Sequence, residues 1–244
     1  MNGRLLSLLA AWAFVGSVYI LPGGRKERDS NNAIIQRVIG VAVMTAASFS
    51  NFCYRKEQWS VISFSAIKDT LVQIVLISLL YSAQFIYEGL TLRFSLKPLE
   101  GNTKVTWNQR LQALRDYVVG PICEEIVFRG AIHDIYAEDG IENKFVRENF
   151  LYFAPAHFHH GLMSHFTEDT PFKQAMLSSF RQFIITGLFA TYTSFIFSRT
   201  QSIYPCIAAH MICNFFGPPK VTSKLSLYMN IACLVLFITI IVHL

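Results

Sequence analysis

Two adjacent carboxylates and an arginine stand inside the apolar decapeptide Pro121 to Gly130, Pro-Ile-Cys-Glu-Glu-Ile-Val-Phe-Arg-Gly. An ionised side chain at bilayer depth costs at least roughly 2.5–3.5 kcal/mol, so such groups pair, line a wet cavity or do chemistry. On a helix Glu125 and Arg129 lie four residues apart on one face, with the acid N-terminal, the favourable order for an ion pair. Glu124 is rotated by about 100° and points elsewhere. Arg129 is therefore expected to hold Glu125, while Glu124 projects toward the bundle centre as a candidate general base. A purely structural use, with both acids neutralising Arg129 and Arg115, stands beside that reading.

Two later segments add groups that such a base would need. Phe153 and His157 are four apart with Pro155 between them, and the proline is expected to kink or end the helix and re-aim the imidazole. His157, His159 and His160 are dense enough to raise a metal site, but the chain contains no His-Glu-x-x-His. His159 and His160 read better as a wet, hydrogen-bonding face. His210 and Asn214 again share a helical face, and two neutral donors side by side suit a forming oxyanion. The alternative for that pair is a polar contact between helices. Cys123 is a weak candidate nucleophile, because the neighbouring carboxylates disfavour a thiolate, and Cys213 reads as packing.

The rest of the chain must position these groups. Its 244 residues are 52% hydrophobic and only 15% charged, the balance of a membrane protein. The net charge of +5 sits in short clusters such as Arg25-Lys26-Glu27-Arg28, which suit loops flanking spans better than a nucleic-acid groove. Five scattered cysteines, Cys53 and Cys233 among them, form no CxxC pair and no disulfide framework.

Uncharged runs of about 17–20 residues, the length needed to cross a bilayer, are Leu5 to Leu21, Val38 to Tyr54, Thr70 to Tyr87, Gln182 to Ser198 and Leu225 to Val242. The first is expected to be a retained span rather than a cleaved signal peptide. Three less apolar segments, Val118 to Ile135, Phe145 to Met163 and Gln201 to Phe216, carry the ionisable groups and are expected to form the bundle interior. An amphipathic stretch with Leu111, Leu114 and Val118 at helical spacing leads into the first of them. The expected fold is an all-α membrane protein, a bundle of about eight transmembrane helices with a polar catalytic cavity. It forms one integral-membrane domain over residues 1–244, with a catalytic core at about 106–219. The Arg/Lys-rich loop Gly23 to Asn32 would be cytoplasmic, with the N-terminus in the lumen.

Glu-Glu-x-x-x-Arg, Phe-x-x-x-His and His-x-x-x-Asn, in that order on three helices, resemble the type II CAAX prenyl endopeptidases, the Ras-converting-enzyme family of intramembrane glutamate proteases. Ala156-His157-Phe158-His159-His160 and His210-Met211-Ile212-Cys213-Asn214-Phe215-Phe216-Gly217 extend the likeness, which runs from about Arg110 to Pro218. The resemblance implies a metal-independent peptidase of the endoplasmic reticulum membrane that needs no cofactor. Glu124 and His157 would activate water, His210 and Asn214 would stabilise the oxyanion, and Glu125 and Arg129 would order the site. Its substrates would be proteins with a prenylated C-terminal CAAX sequence, of the small-GTPase type, which lose their last three residues. The competing readings are a zinc protease with Glu124, His157 and His210 as ligands, and a proton-coupled transporter. No internal symmetry of the kind common in transporters is visible in the sequence.

Overall fold

The structure is a computed structural model that describes residues 2–21, 29–52, 62–90, 105–167, 169–218, 221 and 223–243. These residues form eight helical elements and no strand. They are α1 (Gly3–Ile20), α2 (Asn31–Phe52), α3 (Phe64–Leu90), α4 (107–138), a broken α5 (145–167), α6 (Phe172–Thr200), α7 (Tyr204–Phe216) and α8 (Lys224–His243). Cys53, Tyr54 and most of the Arg/Lys-rich loop fall outside the described residues.

Helices α1, α2 and α3 are long and apolar enough to cross a membrane, and α8 is apolar over the shorter stretch Lys224–Ile240. Large apolar side chains face outward along the bundle, with Trp12 61%, Val43 64%, Val75 68% and Leu188 69% exposed. Such an apolar exterior needs lipid rather than water around it. The chain is an all-α membrane protein.

One expectation from sequence changes. The run Gln182 to Ser198 reads as a lipid-facing span, yet the 29-residue α6 that contains it is not among the helices apolar enough to count as one. Its polar residues explain why. Thr193 and Ser194 are fully buried and point into the bundle, while Leu188 faces out. Helix α6 is therefore half wall and half support for the polar interior.

Helix α1 is tied into the same interior. The backbone N–H of Gly3 donates to Asp139 Oδ2 at 2.9 Å, and Arg4 grips Glu148 through Nε and Nη2 at 2.7 and 2.9 Å. Tyr136 donates to the same carboxylate and shares a 2.7 Å hydrogen bond with Tyr152. Deeper in, Phe14 meets Phe128 edge-on at 5.6 Å. Helices α1 and α2 touch backbone to backbone. A Cβ added to Gly40 would lie 2.2 Å from the Ser17 carbonyl oxygen, so only glycine fits this crossing. Gly40→Ala is expected to cost ~1–3 kcal/mol as the helices part, read as a lowered thermal midpoint in detergent. An unchanged midpoint would contradict the close crossing. On the far side α3 packs against α7 and α8, and Tyr81 donates to the Gly217 carbonyl at 2.8 Å.

Candidate active site

Helix α4 opens with a reciprocal cap, in which Thr106 Oγ1 accepts from the Gln109 N–H and Gln109 Oε1 accepts from the Thr106 N–H. From there it is continuous with the segment that carries the carboxylates. It is not regular, however. Two wider π-type stretches, Arg115–Val119 and Ile126–Ala131, bracket the α-helical turn Gly120–Glu125. π-bulges of this kind recur at functional sites.

The first bulge has a readable cause. The Gly120 N–H bonds to the Arg115 carbonyl, five residues back, and so leaves Asp116 without its usual helical donor. The next donor along would be residue 121, a proline, which has no N–H. Asp116 O is instead satisfied from another helix, by Asn214 Nδ2 of α7 at 3.0 Å.

Beyond the bulge the two glutamates take different surroundings. Glu125 and Arg129 are fully buried, with Nε of the arginine 3.1 Å from Oε2 of the acid. Arg129 Nη2 donates to Thr193 Oγ1 at 2.5 Å, and the guanidinium lies over the rings of Phe153 at 4.3 Å and Phe189 at 5.6 Å. The rings suit a cation with few polar neighbours. Glu124 keeps 23% of its side chain accessible, and its buried Oε2 has no hydrogen-bond partner. Arg115 takes no part, being paired with Asp116 and Asp29 on the polar side of α4.

Helix α5 breaks where its proline stands. Phe150–Ala156 ends, His157 forms the turn, and Phe158–Thr167 begins anew. The backbone N–H of His157 bonds to Ala154 O rather than to Phe153 O, and the freed Phe153 carbonyl accepts from His157 Nδ1 at 2.9 Å. A carbonyl oxygen only accepts, so Nδ1 carries the proton, and in the neutral form of the ring Nε2 is left bare. That Nε2 lies 3.9 Å from Glu124 Oε2.

Helix α7 brings the third group. His210, 5% exposed, donates from Nδ1 to Glu125 Oε1 at 2.7 Å, while its Nε2 lies 3.7 Å from Glu124 Oε2. The rings of Phe189 and Phe153 flank the imidazole at 4.7 and 6.1 Å. Thr193, Arg129, Glu125 and His210 thus form one buried chain that ends on the oxygen of Glu124.

The structure brings Glu124, His157 and His210 together, and places Glu125 and Arg129 behind His210. Asn214, expected beside His210, turns its amide to α4. Its amide is engaged with the Asp116 carbonyl at an exposed position one turn beyond His210, so its placement follows from the bulge in α4. His159 donates to Ala156 O at 2.6 Å and lies against the tilted ring of His160. Cys123 is buried in the apolar core and Cys213 packs beside Tyr81, Ile212 and Phe216.

Sequence reasoning missed Thr193, Phe189 and the buried pair Asn149 Nδ2 to Ser194 Oγ at 2.6 Å, which joins α5 to α6. The available signal was the run of Thr and Ser inside an apolar helix.

What the site can do follows from its donors and acceptors. Two imidazole Nε2 atoms and a carboxylate oxygen face one point at separations too long for direct hydrogen bonds, a spacing that suits a water bound among them. Among the described residues no three His, Cys, Asp or Glu side chains are gathered into a set able to hold a metal ion.

Residues 106–216 match the family described as type II CAAX prenyl endopeptidase Rce1-like. Among curated proteins, the chain is 34% identical over 117 residues to CAAX prenyl protease 2 of Homo sapiens, a match covering 46% of this chain and 34% of the human protein. It is 32% identical over 114 residues to the probable CAAX prenyl protease 2 of Schizosaccharomyces pombe, covering 46% of this chain and 42% of the yeast protein. CAAX prenyl protease 2 of Arabidopsis thaliana is 26% identical over 214 residues, 76% of this chain and 69% of the plant protein. The chain thus spans well under half the length of the human and yeast relatives it matches. No solved structure matches it.

Proposed function

We propose that the chain, whose residues 106–216 match the type II CAAX prenyl endopeptidase Rce1-like family, is an intramembrane endopeptidase that releases the C-terminal tripeptide from prenylated CAAX proteins. The observation that carries the reading is the convergence of Glu124 Oε2 with the Nε2 atoms of His210 at 3.7 Å and His157 at 3.9 Å.

Water is the nucleophile, held by hydrogen bonds to Glu124 and His157. Glu124 takes one of its protons as the oxygen attacks the scissile carbonyl, whose electron pair moves onto oxygen. His210 in its imidazolium form donates Nε2–H to that oxyanion, while the Glu125 carboxylate, held by Arg129, balances the charge at Nδ1. Asn214 spends one amide hydrogen on Asp116 and offers the second to the same oxyanion. Collapse of the intermediate breaks the C–N bond, and Glu124 returns its proton to the departing amine.

This chemistry is metal-independent and glutamate-based. Its setting would be the endoplasmic reticulum membrane, and its substrates prenylated proteins of the small-GTPase type. A prenyl chain gains about 0.8 kcal/mol per buried CH₂, which delivers the peptide bond to the bilayer surface where the enzyme must supply water.

A single assay tests the reaction and separates it from zinc chemistry and from transport. The purified chain in detergent is given a farnesylated CAAX peptide and its unprenylated twin, each with and without a chelator. Release of the tripeptide from the farnesylated peptide alone, undiminished by exhaustive chelation, is expected. Activity abolished by the chelator and restored by zinc would replace the mechanism with the metal one, and no release from either peptide would overturn the peptidase reading.

A further inference from the structure

Helix α6 carries none of the residues on which the chemistry above depends, yet one of its turns touches that chemistry from two sides. Phe189 and Thr193 lie four apart on one face. The ring of Phe189 is 4.7 Å from that of His210 and 5.6 Å from the guanidinium carbon of Arg129. Thr193 is fully buried and bonds to both neighbouring helices. Its hydroxyl accepts from Arg129 Nη2 of α4 at 2.5 Å, and its carbonyl accepts from Cys206 Sγ of α7 at 3.4 Å, one turn before His210.

The hydroxyl is oriented for a cation. It spends its own hydrogen on the Phe189 carbonyl at 2.9 Å, so toward Arg129 it can only accept. Arg129 is fully buried, and among the described residues its Nη1 has no hydrogen-bond partner. The flanking rings of Phe153 and Phe189 attract a guanidinium over a broad face and leave its position within the plane open, whereas a hydrogen bond is directional. Thr193 thus pins one end of the fork while Nε meets Glu125 Oε2 at 3.1 Å.

What the fork holds is passed on to the site. The other oxygen of Glu125 accepts from His210 Nδ1 at 2.7 Å, and Nε2 of that ring lies 3.7 Å from Glu124 Oε2. A misplacement of about 1 Å passed along such a chain can cost on the order of 10²-fold in rate.

We propose that Thr193 is a positioning residue of the peptidase: its hydroxyl locks Arg129 in the rotation that seats Glu125 on Nδ1 of His210, and so aims the Nε2–H that meets the oxyanion. The inference rests on the peptidase reading and extends it to a helix that supplies no group to the substrate.

Thr193→Val, Thr193→Ser and Thr193→Ala separate the hydroxyl from the space it fills. Valine keeps the volume without the hydroxyl, serine keeps the hydroxyl, and alanine removes both but leaves room that a water can enter. Turnover of a farnesylated CAAX peptide is measured per folded molecule in detergent. In Thr193→Val, kcat is expected to fall roughly 10–100-fold with KM near that of wild type, since the aim of His210 matters only as the oxyanion forms. Thr193→Ser should stay near wild type and Thr193→Ala should fall between. Packing alone gives the reverse order, with valine harmless and the smaller residues impaired.

A second readout needs no turnover. In protein labelled with ¹⁵N-histidine, the proton shared by His210 Nδ1 and Glu125, assigned by its absence from His210→Gln, should lie far downfield in wild type and Thr193→Ser and move upfield or broaden in Thr193→Val. If Thr193→Val yields no folded protein, the Ser and Ala variants, which differ by the hydroxyl alone, make the same comparison. A kcat in Thr193→Val equal to that of wild type, a rise in KM alone, or Thr193→Ser as impaired as Thr193→Ala overturns the proposal. Turnover and resonance both indifferent to the hydroxyl remove the role of Thr193 and leave the peptidase. A hydroxyl-dependent resonance in a protein that cleaves no peptide keeps the positioning of His210 and removes the peptidase.

Discussion

Glu124→Gln is expected to lower turnover of a prenylated CAAX peptide by about 10²–10⁴-fold, the usual contribution of a general base, with no loss of folded protein. The amide keeps the shape of the carboxylate but has no lone pair basic enough to take a proton from water. Stability should hold because Glu124 lies outside the Arg129–Glu125 ion pair and its Oε2 makes no hydrogen bond. An amide N–H there would even meet the bare Nε2 of His157, so the thermal midpoint should be equal or higher, the usual trade between activity and stability at a strained site. Near-normal turnover in this variant would remove Glu124 from the mechanism and with it the reading of the site.

Arg129→Met should act in the opposite way, through folding. It strands the Glu125 carboxylate, which is fully buried and would be left with His210 alone. Breaking one side of a buried pair costs about 3–5 kcal/mol, enough to deplete folded protein in the membrane. Adding Glu125→Gln removes the stranded charge and keeps an oxygen to accept from His210 Nδ1, so the double variant should recover most of the lost midpoint. Turnover should stay low in the double variant, since a neutral amide no longer balances an imidazolium at His210. Thermal midpoints and turnover of the three proteins check both halves. A single variant as stable as wild type would show that the pair is not buried in the way described.

Much of this arrangement can be read from residue order because helix geometry is local. The spacing of Glu125 and Arg129 commits them to one face, and the 3.1 Å contact between them is what an i,i+4 pair gives. Pro155 reads equally well, since a missing N–H frees backbone wherever the residue sits, and here the freed carbonyl of Phe153 orients His157. The reading was weaker for Gln182 to Ser198. Average hydropathy there suggests a wall helix, but it does not say which side Thr193 and Ser194 take. Similarly, Pro121 marks a helical irregularity without revealing the carbonyl that it orphans, so the sequence leaves Asn214 open between an oxyanion donor and a polar contact between helices.

By itself the sequence determined the all-α membrane character and the different faces that the two glutamates take. It also placed the proline that turns His157 and three helices with ionisable groups facing inward. All of these depend on contacts within a turn or two of one helix and on the cost of charge in an apolar segment. Only the tertiary structure decided that His210 is held by Glu125 and aimed at Glu124, and that Asn214 serves the bulge at Asp116. The same holds for Thr193 seating Arg129. Each of those joins residues distant in the chain, and their meeting depends on how α4, α5, α6 and α7 cross. No periodicity within a single segment encodes that crossing.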